Sequence, residues 1–278
     1  MKWIQRFFCV TIFSLIVKLS CSQGEAGAPA AAMAGAFQSR ESVWMMFHNP
    51  AGIAGGTKKI QAGIFGENRF LMKELSEQGF ALSAGFGKSA IGLSYRSYGF
   101  DSFKESGATL SYAMTLSEKL RAAIQLRYLA LSFGDVYGRS SLVSGSVGLL
   151  YDVTTKLSVG AHLEDPTRPY YSESNNVRRS VRYRITPAYR FSEKLYVAAE
   201  IRKTADTPVS LRFGMEYKFI SSLAVRGGFI ADTGAFTFGF GWMNKSVHID
   251  AAAGYLPNLG FVPQMSLTYS LAKESVQK

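Results

Sequence analysis

Residues 120–128 decide the fold class, and they read LRAAIQLRY. In an extended chain Ile124 and Leu126 fall on one face, whereas Arg121 and Arg127 fall on the other. An α-helix would scatter the two arginines around its circumference. The stretch therefore predicts a β-strand with one apolar face and one cationic face.

The same period of two recurs in the second half of the chain, at 181–191, 209–219 and 236–242. The last of these reads FTFGFGW, with every aromatic side chain on one face. A soluble β-sandwich alternates in the same way, so alternation alone does not identify a membrane protein. The aromatic strand ends, the turn pattern and the leader favour a transmembrane barrel.

Short polar breaks alternate with breaks that are mostly longer. The short ones fall at 87–88, 117–119, 154–156, 192–194, 221–222 and 244–246, and the others at 67–78, 99–106, 134–139, 164–180, 204–207, 232–234 and 257–260. Short periplasmic turns and longer external loops are typical of bacterial outer-membrane barrels. Six turns and seven loops join fourteen strands, and because that number is even, both chain ends fall on the periplasmic side.

The prediction is an all-β fold: a transmembrane antiparallel up-and-down β-barrel of about fourteen strands over residues 58–271, followed by a periplasmic tail at 272–278. The strands are placed at 58–66, 79–87, 90–98, 107–116, 119–132, 141–153, 156–163, 181–191, 194–203, 208–219, 222–230, 235–243, 246–255 and 262–271.

The composition agrees with a barrel. Of 278 residues 47% are hydrophobic and 18% charged, and the mean hydropathy is +0.04. That value argues against a helical membrane protein, whereas a barrel offsets an apolar outer face with a polar inner one. The formal net charge is +11, but the arginines alternate with apolar residues instead of forming one patch. The charge therefore favours contact with outer-membrane lipid and lipopolysaccharide, or a cationic lumen, over nucleic-acid binding.

Residues 1–22 are typical of a cleaved signal peptide, which predicts export to the bacterial outer membrane. Residues 2–6 form a basic n-region that holds Lys2 and Arg6, and 7–17 form an apolar run too short to span as a helix. Ser20 and Ser22 are small residues where signal peptidase reads them. A lipid anchor at Cys21 is the alternative, but the residues before it do not fit the motif.

Residues 23–57 do not alternate. Within them 42–55 read SVWMMFHNPAGIAG, an apolar knot that must turn at Asn49, since a residue before proline is held out of the α region. A barrel of about fourteen strands has a lumen too wide for its own side chains to fill. We therefore expect a plug, and a mobile periplasmic tail is the alternative. The plug motif comprises Trp44, Phe47, His48, Asn49, Pro50, Ala51 and Gly52.

Residues 30–37, AAAMAGAF, followed by 43–54, VWMMFHNPAGIA, resemble the N-terminal signature of the PorV/PorQ-like outer-membrane proteins of Bacteroidetes, a group related to FadL-type transporters. The resemblance implies a fourteen-stranded barrel with an N-terminal plug in which Asn49, Pro50, Ala51 and Gly52 form the hatch turn. The predicted external loops are shorter than those expected of either FadL or PorV.

The polar faces of the predicted strands place charged residues in the lumen: Arg121, Arg127, Arg182, Arg184, Glu200, Arg202, Arg212, Glu216 and Arg226. We expect salt bridges that brace the wall, and an anion-selective constriction or a carboxylate-binding site is the alternative. Four arginines between 178 and 184 make the loop at 164–180 the most polar external element. It is interpreted as a tip that contacts lipopolysaccharide phosphates or as a docking site for a partner protein.

Ser246, His248 and Asp250 share one predicted face, but successive residues on a strand face lie about 6.6–6.8 Å apart, too far for a hydrogen-bonded triad. His48 and His162 have no partner at metal-ligand spacing. The sequence therefore predicts neither an enzyme nor a cofactor or metal site.

The resemblance implies an accessory or docking component linked to type IX protein secretion, with secretion-system proteins as partners. The alternative is FadL-like passive transport of hydrophobic or amphipathic solutes, with such a small molecule as ligand. A third hypothesis is a small anion-leaning porin.

Overall fold

The computed structural model describes residues 24–39, 41–55, 58–134, 138–172, 177–205, 207–257 and 259–272. The predicted signal peptide, including Cys21, and residues 273–278 of the predicted tail lie outside the described residues. In the part of the chain that is described, no helix is both long and apolar enough to cross a membrane.

Sixteen strands follow one another along the described chain. They are β1 (Lys58–Asn68), β2 (Ser76–Phe86), β3 (Ser89–Phe100), β4 (Phe103–Thr115), β5 (Leu120–Ser132), β6 (Arg139–Asp152), β7 (Leu157–Glu164), β8 (Tyr170–Ser172), β9 (Val177–Arg178), β10 (Arg182–Arg190), β11 (Leu195–Thr204), β12 (Ser210–Ile220), β13 (Leu223–Ile230), β14 (Ala235–Met243), β15 (Val247–Leu256) and β16 (Gly260–Ala272). Fourteen of them close into one antiparallel barrel, with β1 paired to β16, while β8 and β9 form a separate two-stranded sheet.

This topology confirms the predicted fourteen-stranded antiparallel barrel, and every predicted strand overlaps an observed one. The sequence did not predict β8 and β9. They have three and two residues, which is too short for a period of two to be recognised.

The two ends of the barrel differ in their connections. At the turn end the strands are joined by 87–88, 116–119, 153–156, 191–194, 221–222 and 244–246; at the loop end they are joined by 69–75, 101–102, 133–138, 165–181, 205–209, 231–234 and 257–259. The predicted long break at 99–106 is wrong, because β3 and β4 continue to the pair Phe100–Phe103. Gly99 permits this tight turn with a φ of +103°, a left-handed conformation that favours glycine.

The two faces of the barrel wall have opposite chemistry. Outward residues are large and apolar, as at Ile124, Leu126 and Phe240, whose exposed fractions are 61%, 58% and 63%. Most inward residues are small, polar or charged, and Arg121 and Arg127 both face inward and form ion pairs there. The predicted alternation is therefore confirmed, with the apolar face turned outward.

Exposed aromatic side chains encircle the outer surface near the turn end. We call this set the aromatic girdle: Phe86, Tyr112, Tyr151, Tyr189, Phe191, Tyr217, Phe219, Trp242 and Tyr269. Such a ring is typical of the level at which a barrel crosses from hydrocarbon to lipid headgroups.

The N-terminal segment (residues 24–55) folds into short helices, α1 (Ala28–Ala32), α2 (Met45–His48) and a 3-10 helix (Pro50–Ile53). Asn49 is extended, with φ −152° and ψ 104°, as expected before a proline, and its side chain accepts a hydrogen bond from the Ala51 N–H at 3.2 Å. The chain therefore turns at the residue that the sequence indicated.

Candidate functional site

The N-terminal segment packs against a belt of small residues on the inner face of the barrel. This small-residue belt takes one glycine or alanine from each of thirteen strands: Gly63, Ala81, Gly92, Ala113, Ala123, Gly148, Gly160, Ala188, Ala198, Gly214, Gly228, Gly239 and Ala252. A methyl group added at Gly63, Gly92, Gly214 or Gly228 would lie 2.6–2.8 Å from an atom of the segment. The segment fits there because these positions carry almost no side chain.

Trp44 is the largest side chain of the segment, and only 2% of its surface is exposed. Its ring lies against Gly63 and makes an edge-to-face contact with Phe65, with the two centroids 5.9 Å apart. The indole Nε1 donates to Thr268 Oγ1 at 3.0 Å, so the polar edge of the ring is paired as well.

Asn49 joins the segment to the backbone of the wall. Its Nδ2 donates to the Leu149 carbonyl of β6 at 2.8 Å, and the Ala161 carbonyl of β7 lies 3.4 Å away. Gly148 and Gly160 flank this contact, and a methyl group at either position would collide with the asparagine amide. The predicted hatch asparagine therefore reaches the wall where two strands lack side chains.

Glu25 joins the start of the segment to β11 and β12 of the wall. Its carboxylate pairs with Arg202 at 2.6 Å and with Arg212 at 2.7 Å, and its Oε2 lies 3.4 Å from His48 Nδ1. His48 Nε2 lies 3.0 Å from the Ala26 carbonyl oxygen. In the neutral tautomer that carries its hydrogen on Nε2, this nitrogen donates to that oxygen.

These contacts set the protonation states of Glu25 and His48. Burial raises the pKa of Glu25, but the guanidinium groups of Arg202 and Arg212 outweigh it and hold the pKa well below its ordinary value. Burial lowers the pKa of the His48 imidazole, and the Glu25 carboxylate offsets only part of that shift. The seated segment therefore presents an ionised Glu25 and a neutral His48 near pH 7.

The predicted luminal charges on neighbouring strands fall into separate clusters. Glu164 pairs with Arg127, Arg182 and Arg184 at 3.5, 3.3 and 2.9 Å. Glu200 pairs with Arg202 at 2.6 Å. Arg184 and Arg202, which lie opposite each other on neighbouring strands, therefore bind different carboxylates.

Two further clusters lie towards the turn end. Arg226 pairs with Glu216 and Asp250, both at 2.7 Å, and Arg121 pairs with Asp152 at 3.3 Å. Sequence reasoning placed these arginines in the lumen but did not identify Glu25, Asp152 or Glu164 as partners. Glu25 lies in a segment without alternation, Asp152 lies near the end of its predicted strand, and Glu164 falls in the break predicted at 164–180.

The loop at 165–181 does not present the four-arginine surface that the sequence suggested. Arg184 lies in β10 and is 6% exposed, and Arg179 is 8% exposed. Arg179 Nε donates to Asp165 at 2.9 Å, and the same guanidinium contacts Glu105 of β4 at 3.5 Å, so the loop is joined to a strand three places away from β7. Arg178 is exposed and stacks over the Tyr170 ring at 4.0 Å.

A small cavity lies between the segment and the wall, lined in part by Glu25, Phe47, His48, Arg127 and Arg182. It has room for about one water molecule. No group of His, Cys, Asp or Glu side chains suited to a metal ion occurs among the described residues. Asp250, the acid of the sequence pattern with Ser246 and His248, accepts a hydrogen bond from Arg226.

No protein-family model matches the chain, and no curated protein matches its sequence. The fold is similar to the monoaromatic hydrocarbon channel CymD (TM-score 0.68, 14% identity, 90% of this chain and 98% of that one). It is similar to the Pseudomonas putida toluene transporter TodX (TM-score 0.65, 12% identity, 89% and 98%). It is also similar to a Pseudomonas aeruginosa FadL homologue (TM-score 0.61, 12% identity, 89% and 98%).

At these identities the likeness shows a shared barrel fold. None of these structures supports the predicted PorV/PorQ relationship, a Bacteroidetes origin or a link to type IX secretion.

Proposed function

We propose that this protein is an outer-membrane channel for small hydrophobic solutes and that residues 24–55 close its lumen as a plug. The small-residue belt carries the proposal, because thirteen strands omit large inward side chains at the level of one segment. A tail with no role in the lumen would not need a wall shaped around it. The signal peptide and the periplasmic chain ends are parts of this proposal.

The outer surface supports a membrane location. Outward side chains such as Phe238, Phe240 and Met265 are 55%, 63% and 64% exposed, and a water-soluble protein rarely exposes so much apolar surface. The aromatic girdle lies at one border of this surface, as in outer-membrane barrels.

The solute class is supported by the solved structures that share the fold, which include a monoaromatic hydrocarbon channel and a toluene transporter. The segment presents apolar side chains, including Trp44, Met45 and Met46, to the lumen wall. An open porin has less support, since the segment packs against the small-residue belt of thirteen strands inside the barrel.

The PorV/PorQ-like docking role stays a prediction without an observation that favours it, and co-purification with secretion proteins would be its test.

We propose a non-enzymatic role, because the inward polar side chains are engaged in ion pairs such as Arg226 with Asp250.

The experiment compares uptake of radiolabelled toluene by Gram-negative cells that lack their own FadL-type channels and express this protein or an empty vector. We expect faster uptake with the protein. Uptake equal to that of the empty vector would refute the transport function.

A reversible cross-link tests the plug. A Cβ at Gly214 would lie 2.7 Å from Met33 Cβ, and a separation of about 3.5–4.5 Å suits a disulfide, so Met33→Cys with Gly214→Cys brings two thiols within disulfide reach after a small shift. We expect the oxidised pair to block uptake and a reductant to restore it, whereas either single variant stays insensitive to the reductant. Uptake that is the same in both redox states would show that the segment does not move during transport.

A further inference from the structure

Lysines recur in the connections at the turn end. Five of the six turns carry one, namely Lys88, Lys119, Lys156, Lys194 and Lys245, and all five side chains are exposed. We call these residues the turn-end lysine ring, since the turns that hold them are distributed around the closed barrel. The exposed carboxylates in the same turns are Glu118 and Glu193, so the rim is cationic.

The turns do not need lysine for their own geometry. In three of them a Ser or Thr hydroxyl closes the turn: Ser117 Oγ accepts from the Leu120 N–H at 3.1 Å, Thr154 Oγ1 from Leu157 at 2.9 Å, and Ser192 Oγ from Leu195 at 3.1 Å. Ser/Thr side chains are favoured in turns for this reason. The repeated Ser/Thr-x-Lys pattern therefore has a structural role for its first residue but not for its last.

The backbone holds four of the lysines at defined places on the rim. The carbonyls of Lys88, Lys119, Lys156 and Lys194 accept hydrogen bonds from the adjacent strand at 2.8, 2.8, 2.9 and 2.9 Å. Among the described residues, none of the five ammonium groups takes part in an ion pair. Fixed backbones with unpaired side chains leave the charges available to an external anion.

The ring lies next to the aromatic girdle. Trp242 precedes Lys245 by three residues, and Phe191 precedes Lys194 by the same interval, with both aromatic side chains exposed. Aromatic girdles mark the border between hydrocarbon and headgroups, so these lysines lie at the level of the lipid phosphates.

We infer that the turn-end lysine ring binds the phosphate groups of anionic phospholipid in the leaflet at the turn end. The inference rests on the proposed membrane location. The lysine ammonium is a compact point charge with three donors, which suits a mobile phosphate surface better than one fixed ligand. Anionic lipid therefore concentrates around this rim, and the rim fixes the depth of the barrel in the membrane.

Trp242 offers a local probe, because it is 41% exposed beside Lys245, whereas Trp44 is 2% exposed. The purified protein is reconstituted in vesicles of phosphatidylcholine and phosphatidylglycerol, with one or the other lipid brominated to quench tryptophan. We expect about fivefold preference for phosphatidylglycerol at low salt, the ratio given by about 1 kcal/mol for one lysine near an anionic surface, and loss of the preference at high salt.

Replacement of all five ring lysines by glutamine should reduce the ratio to about one. The matched control replaces five exposed loop-end cations by glutamine: Lys73, Lys104, Arg139, Arg168 and Arg178. It removes the same charge and should keep the preference. A heat-dependent gel shift verifies that each variant folds, and Lys245→Gln alone tests the charge nearest the probe.

The outcomes separate the two proposals. Quenching without lipid preference in the wild type, or equal loss in ring and control variants, overturns the lysine ring and leaves the channel intact. If neither brominated lipid quenches Trp242, the membrane location is overturned and the lysine ring with it. A preference that survives in the ring variant also refutes the inference.

Discussion

Valine at Gly63 tests whether the belt holds the segment in place. The added Cβ would lie 2.8 and 2.9 Å from two carbons of the Trp44 ring and 3.1 Å from Val43 Cγ1. Carbon atoms pack best at about 3.5–4.0 Å, so the ring must move by about 1 Å, and the two valine methyls require more. The backbone of β1 cannot move away from the ring, because β1 is hydrogen-bonded to β16 on one side and to β2 on the other.

We therefore expect the closed state to lose about 1–3 kcal/mol, the usual cost of overpacking, which raises the open population about 5–150-fold. The measurement is the open fraction of single channels in planar bilayers. Trp44 supplies a second signal, because its emission should shift to the red when the indole leaves its buried site.

Gly66→Val is the matched control, since Gly66 lies on the same strand with nothing within 4 Å of an added Cβ. A second variant, Gly63→Val with Trp44→Leu, makes room for the valine and should restore part of the closed fraction. The reasoning fails if Gly63→Val conducts like Gly66→Val and Trp44 emission is unchanged.

Three further predictions concern the contacts of the segment. Glu25→Gln leaves Arg202 and Arg212 without the carboxylate at 2.6 and 2.7 Å, so the segment should become sensitive to protease in intact folded barrels; unchanged protection would contradict this. Burial holds the pKa of His48 below 6.5, so binding of the segment inside the barrel is favoured above pH 6.5 and should weaken as the pH falls below that value. His48→Gln should flatten the pH profile of protease sensitivity. Asn49→Asp removes the donor to the Leu149 carbonyl and should speed hydrogen exchange of residues 41–55, whereas equal exchange would refute that role.

Most of the fold could be predicted because a barrel repeats one simple rule on every strand. The alternation at 120–128 and the position of short breaks placed all fourteen strands. The break at 99–106 was misjudged, since its polar residues suggest a loop while the cross-strand contact of Phe100 and Phe103 extends the hairpin.

The belt was recognisable in the sequence but was not recognised. Gly63, Gly148, Gly214 and Gly239 each stand at an inward position of a strand, where a barrel would otherwise place a polar side chain. Glycine in a strand interior weakens it and often marks a close approach of another chain segment. One such glycine has several explanations, whereas a ring of them at one level is explained by the segment.

The ion pairs could not be assigned from sequence, because pairing depends on stagger between strands. Arg184 lies opposite Arg202 in the ladder, yet the two guanidinium groups bind Glu164 and Glu25. Glu25 comes from outside the barrel wall, so no reasoning from strand register could have supplied it.

The origin of Glu25 affects the expected ion selectivity of the proposed channel. In the ion pairs of the described residues, ten arginines share ten carboxylates, and Lys218 adds a cation 3.9 Å from Glu216. Glu25 is the one carboxylate among these pairs that belongs to the segment, so its departure leaves Arg212 without a paired carboxylate. An open lumen should therefore prefer anions weakly. The test is the reversal potential of a barrel lacking residues 24–55, with Arg212→Gln added in a second variant that should weaken the preference. Cation selectivity in the first variant would show that the wall is not balanced as the ion pairs indicate.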